Sequence, residues 1–197
     1  MTVRDRVATT SNRRRPERAE RTAAELNSTA HHEAGHAVAL VAQRLGFESV
    51  TIVPEGTSLG RCTHPSIPGY EGPHSIRSDR SLARKLIVVS YAGDPAQRLV
   101  DSAPPDYAAD VDNDDAWELS CDYGVLPRGS RIGDDAYKAY LEELKSEARR
   151  LVGRHERAIR ALAAVLLAEQ TMTECRVIEV VRPFFSHLQQ EAESQIE

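Results

Sequence analysis

The chain has 197 residues, 41% of them hydrophobic and 28% charged, with a formal net charge of −5. This length supports one domain with a genuine core and excludes two large ones, and the mild acidity argues against a dedicated nucleic-acid binder. Cys62, Cys121 and Cys175 are too few for a disulfide framework; no apolar run approaches the ~20 residues of a membrane span and no secretory h-region opens the chain, so a cytoplasmic protein with reduced thiols is expected.

Residues 1–27 are polar and carry Arg4, Arg6, Arg13, Arg14, Arg15, Arg18 and Arg21. They read as a disordered, solvated arm, with contact to nucleic acid or an acidic partner as the alternative. Ser28 or Thr29 is the expected N-cap of a helix that runs through His32-Glu33-Ala34-Gly35-His36. Val38, Val41, Ala42 and Leu45 recur at helical spacing, and Gly46 is the expected stop. Val50-Thr51-Ile52-Val53 is β-branched and reads as a strand ending at Pro54, with Glu55-Gly56 turning toward a second strand near residues 59–63. Residues 64–77, rich in proline and glycine, read as a loop.

Ser78 can cap a helix carrying Leu82, Leu86 and Val89, and a further helical piece is expected to about Val100, before Pro104-Pro105. An acidic stretch from Asp106 to Asp115 leads into a helix through Ala116, Trp117 and Leu119 that ends near Gly124. Leu141, Leu144, Ala148, Leu151, His155, Ile159, Leu162 and Leu166 repeat at steps of three and four, which predicts one long helix from roughly Asp134 to Glu169. A last helix starts near Thr173 and carries Val177, Val180 and Val181 before Pro183. The expected division is therefore a tail at 1–27, a domain at 28–183 and a polar C-terminal tail at 184–197. No Walker-type phosphate loop is present, so the chain is not expected to hydrolyse ATP by itself.

His32 and His36 are four residues apart, which on a helix puts both imidazoles on one face, a turn apart. Placed so, they can bind one Zn²⁺. Glu33 would then stand beside the metal's open position, where a carboxylate can take a proton from water that the metal has acidified and return it to a leaving amine. Alanine and glycine between the two ligands leave room for another helix. A chance match on an amphipathic helix gives the same five letters, so the third ligand is the deciding feature.

Catalytic zinc normally takes three protein ligands. His31 faces about 100° away from His32; His64, His74, His155 and His187 are possible, but His64 and His74 fall in the loop and His155 fits a core stripe. Among the five aspartates of the acidic stretch, Asp112 has Ala116 at i+4 and Leu119 at i+7, so a buried face would hold it. Asp112 is the preferred third ligand and Asp110 the next candidate.

The order of these pieces resembles the peptidase domain of the FtsH family of ATP-dependent zinc proteases. His32 to Ala37 resembles the family's HEAGHA. Thr51 to Gly56 with Leu59-Gly60 resembles its strand and turn. Ala92-Gly93-Asp94-Pro95-Ala96-Gln97 resembles a Gly-Gly-x-Ala-Ala-Glu helix, with Gln97 in place of Glu and Pro95 expected to interrupt it. Asp112 with Ala116, Trp117 and Leu119 matches the spacing of the family's third ligand, and Leu166-Leu167 with Thr171 resembles its C-terminal hairpin.

The resemblance implies zinc held by His32, His36 and Asp112, with Glu33 as general base, and a substrate strand added to the edge of residues 50–53. The membrane anchors and ATPase module of the family are absent from this sequence, so a separate ATPase or unfoldase partner is implied for folded substrates, and assembly into a homo-oligomer is left open. Together these readings predict a mainly α, zincin-like helical domain with a small two- to three-stranded β element. Its expected activity is hydrolysis of unfolded or flexible polypeptides. The alternatives are a weakly active or inactive peptidase fold used as a binding or regulatory module, and a nucleic-acid-associated protein targeted by the Arg-rich arm.

Overall fold

The computed structural model describes residues 21–55, 58–63, 80–103, 112–114, 116, 119–120 and 134–188. Within them, helix α1 (Ala23–Gln43) is buried without interruption from Ser28 to Val41. A helix sunk on every side needs small residues where neighbours approach, and Ala30, Ala34, Gly35, Ala37 and Ala39 provide them. It starts earlier than Ser28: Thr22 is the N-cap, and Thr22 and Glu25 form a capping box in which each side chain accepts from the other's backbone N–H, at 3.2 and 2.8 Å. The boundary expected at residue 28 therefore falls inside α1. Both expected caps are engaged elsewhere, Thr29 donating to the Glu25 carbonyl and Ser28 to Asp101. At the other end the stop comes before Gly46, with Arg44 in the left-handed region at φ 57°.

Strands β1 (Ser49–Thr51), β2 (Arg61–Thr63) and β3 (Thr171–Thr173) form an antiparallel sheet in the order β2-β1-β3. Val50 lies opposite Cys62 on one side and Met172 on the other. Val50 and Met172 are both buried, which fixes the register, because a slip of one residue would turn them to solvent. The pairing of the first two strands is the expected one. The position of β1 is not: it is the middle strand, so residues 49–51 have partners on both sides and offer no edge to a substrate. Of the two outer strands, β2 is the one that follows Gly60, which lies against Glu33.

Helix α2 (Arg80–Ser90) leads through Tyr91 and Ala92 into the short α3 (Gly93–Gln97). Pro95 does not interrupt α3, since it stands in the first turn, where a backbone N–H has no helical acceptor to lose. Asp112, Asn113, Asp114, Ala116, Leu119 and Ser120 are helical, with Ala116 and Ser120 buried. Asp110, Trp117, Cys121, Gly124, His64, His74 and Ser78 lie outside the described residues.

The expected long helix is two: α4 (Asp135–Arg154), capped by Asp134, and α5 (Glu156–Glu169). Between them His155 leaves helical geometry (φ −110°, ψ 18°), its N–H shared between the carbonyls of Leu151 and Val152. The ring of His155 stacks on Phe185, centroids 4.6 Å apart. Helix α6 (Glu174–Val181) begins on the Thr173 cap, as the sequence predicts, and a 3₁₀ turn (Arg182–Phe184) follows. Helices α2 to α6 and strands β1 and β2 all pack on α1, which makes the expected mainly α architecture with a small β element one layer of elements around a central helix. No helix among the described residues is long and apolar enough to cross a membrane.

Candidate metal centre

Two antiparallel stripes meet at the middle of α1. On α1, Ser28, His32 and His36 follow at steps of four and so share a face. Opposite them run Gly93 and Gln97 of α3 and Asp101 of the turns that follow, again at steps of four. Gly93 meets the two imidazoles, Gln97 meets His32 and Ser28, and Asp101 meets Ser28. The approach is close because of two glycines. A Cβ on Gly35 would lie 2.5 Å from the Ala92–Ala96 side of α3, against the Ala96 Cβ. A Cβ on Gly93 would lie 2.5 Å from His36 Nε2 and 2.6 Å from His32 Nε2.

The described part of the acidic segment brings in Asp112. Its carboxylate stands 3.3 Å from His32 Nε2 and 3.4 Å from His36 Nε2, and the two Nε2 atoms are 3.1 Å apart. These separations are close to the about 3.3 Å edge of a tetrahedron with metal–nitrogen bonds of ~2.0–2.1 Å. His32, His36 and Asp112 are the group among the described residues whose ligand atoms converge in this way, all within 4.8 Å of one another. Glu33 is buried next to them, covered by the start of β2, where a Cβ on Gly60 would fall 2.6 Å from Glu33 Oε1. His31 is buried away from the group and bonds through Nδ1 to the Asn27 carbonyl.

The hydrogen bonds around the rings decide what the centre can hold. His36 Nδ1 faces the Val89 carbonyl at 2.9 Å and His32 Nδ1 faces the Gln97 side-chain carbonyl at 3.0 Å. Both partners only accept, so each ring carries a hydrogen on Nδ1, and in a neutral ring the Nε2 lone pair then turns toward the other ring. With both rings neutral, the two lone pairs and the carboxylate cannot satisfy one another. In keeping with that, Asp112 Oδ2 is buried with no hydrogen-bond partner. A cation at the centre of the three resolves the conflict. Nitrogen from two imidazoles with one carboxylate oxygen is a donor set that suits Zn²⁺.

The electrostatics point the same way. Burial alone would lower His36, but the Asp112 carboxylate, with Glu33 beyond it, outweighs burial and pushes the imidazole up to about 9. Burial would raise Asp112; the two imidazoles hold it well below the usual carboxylate range. Glu33 is raised by burial, against the opposing pull of His32 and His36. Without a metal, then, the Asp112 carboxylate favours the protonated form of His36.

Comparison with known proteins gives one informative match at this point. The chain is 32% identical, over 184 aligned residues, to a rice (Oryza sativa subsp. japonica) protein named ATP-dependent zinc metalloprotease FTSH 9, chloroplastic/mitochondrial. The alignment covers 81% of this chain and 22% of the rice protein, so the chain spans about a fifth of that relative's length. No protein-family model matches the sequence. The chain is thus similar to a protein named as a zinc metalloprotease, and its fold brings together a His–His–Asp group that could hold a metal ion.

Sequence reasoning selected His32, Glu33, His36 and Asp112, and these four are brought together. It did not select Gly93, Ser28 or Asp101, and it noted Gln97 only as a departure from a pattern. The spacing of four from Ser28 to His32 and from Gly93 to Gln97 to Asp101 was the available signal.

Proposed function

We propose that this chain is a zinc-dependent endopeptidase acting on unfolded or flexible polypeptide in the cytoplasm, related to the FtsH peptidase. The observation that carries this reading is the convergence of two Nε2 atoms and the orphaned Asp112 oxygen beside the buried Glu33 carboxylate. His32, His36 and Asp112 would hold the ion. Zn²⁺ in such a site supplies Lewis acidity and lowers the pKa of water at its open position to about 7.

The remaining chemistry belongs to the chain. Burial raises Glu33, which makes its carboxylate a stronger proton acceptor than an exposed one. Glu33 takes the proton of the attacking water and delivers it to the leaving amine. An extended substrate lies along the outer edge of β2, residues 61–63, because β1 has no free edge and the start of β2 covers Glu33. An extended chain fits that edge and a folded one does not, so folded substrates require an unfoldase partner.

The test compares wild type with Glu33→Gln on casein-like unfolded substrate, with zinc measured in both. We expect both to hold zinc and the variant to lose about 10²–10⁴-fold in rate. Zinc in both with cleavage in neither would instead favour a binding or regulatory module.

A further inference from the structure

Behind His32 a chain of three hydrogen bonds runs to a carboxylate far away in sequence. His32 Nδ1 lies 3.0 Å from Gln97 Oε1, Gln97 Nε2 lies 2.8 Å from Ser28 Oγ, and Ser28 Oγ lies 3.0 Å from Asp101 Oδ2. Asp101 is itself held, its Oδ1 accepting from the Ala103 N–H at 3.1 Å. The direction of every bond follows from the far end. A carboxylate only accepts, so Ser28 donates to it and has only lone pairs left for Gln97. The Gln97 amide must then turn its NH₂ to Ser28 and its carbonyl to His32, and His32 must carry its hydrogen on Nδ1.

A glutamine differs here from a glutamate in a consequential way. A carboxylate accepts from His32 in either rotation of its plane. An amide has one accepting and one donating end, and turned about it would present N–H to Nδ1 and force the ring hydrogen onto Nε2, where the ion belongs. We infer that Asp101, acting through Ser28 and Gln97, is a positioning residue of the metal centre: it fixes the orientation of the Gln97 amide and thereby the tautomer of His32. This rests on the metal-centre reading above. It makes zinc retention depend on a group that touches neither metal nor substrate, and the dependence exists because position 97 is Gln.

The experiment uses the full chain and Zn²⁺ itself, with affinity read by competition against a chromophoric chelator. Ser28→Ala and Asp101→Ala are each expected to weaken zinc by about 10–100-fold, the usual effect of losing an outer hydrogen bond to a ligand. In the Gln97→Glu background the same two substitutions are expected to cost less than about threefold, because a carboxylate needs no orienting partner.

A second readout is the His32 Nδ1–H resonance in the metal-free protein. It should be protected from exchange in wild type and lose that protection in Ser28→Ala. Equal losses of affinity in both backgrounds would mean that Ser28 and Asp101 only support the fold, and would overturn the inference. So would zinc affinity in folded Ser28→Ala and Asp101→Ala within about threefold of wild type. If wild type bound no zinc, the metal-centre reading would fall, while the Nδ1–H resonance would still decide the hydrogen-bond chain.

Discussion

At the scale of single residues, the centre depends on an absence as much as on its ligands. Gly93 stands where a side chain would occupy the ion's place, with an added Cβ 2.5 Å from His36 Nε2 and 2.6 Å from both His32 Cε1 and His32 Nε2. Those atoms belong to rings pinned at Nδ1 by Val89 and Gln97, so they cannot swing aside without losing a buried hydrogen bond. Gly93→Ala is therefore expected to lower zinc affinity by at least about 100-fold, measured by chelator competition, at the larger end of what disturbing a ligand's surroundings does. The proposed ligands could be picked out in the sequence because their signal is local: a step of four for the histidines, and for Asp112 an apolar backing at i+4 and i+7. Ser28 was misread as a cap because its hydroxyl partner, Asp101, is 73 positions away, and nothing in the local sequence marks such a partner.

At the scale of elements, the contact of α1 with α3 sets the site, and Gly35 sets the contact. Its added Cβ would lie 2.5 Å from the Ala96 Cβ and 2.7 Å from the Ala92 carbonyl oxygen, neither of which is a flexible group. Gly35→Ala should destabilise the fold by about 1–3 kcal/mol in urea unfolding. Gly153→Ala, with nothing within 4 Å of the added carbon on α4, is its control and should be neutral or slightly stabilising. The break between α4 and α5 supports a second expectation. Burial, then the nearby Arg154 and His187, lowers His155 below its ordinary value, while its ring stacks on Phe185.

A lowered imidazole contributes stability above about pH 6.5 that is lost as pH falls through its folded pKa, because the unfolded chain takes the proton first. Wild type should lose more stability between about pH 7.5 and pH 5 than His155→Phe, which keeps the ring contact and cannot protonate. Equal losses would contradict this. The periodicity from Leu141 to Leu166 hid the break, since both helices continue the same buried stripe across it. The position of the third strand was also hidden: Thr171-Met172-Thr173 buries one residue and lies too close to α6 to stand out. Its pairing with β1 makes β1 the central strand, which leaves β2 and β3 as the outer strands.

At the scale of the molecule, the fold class was legible because the helical segments are long and strongly patterned. The arrangement of those segments around one buried helix was not, because α1 carries too many small and polar residues to read as a core. The rice relative aligns with 81% of this chain, and the aligned part is 22% of that relative's length. The proposed centre joins α1 to the segment that carries Asp112, so one ion would tie together parts of the chain that no disulfide among the described cysteines connects, Cys62 and Cys175 both being free.

Zinc content after dialysis, wild type beside Asp112→Ala, tests this most directly. About one equivalent per chain is expected in wild type and less than about 0.2 in the variant, since two imidazoles alone leave a catalytic-type site one ligand short. Equal zinc in the two proteins, or none in wild type, would contradict the account.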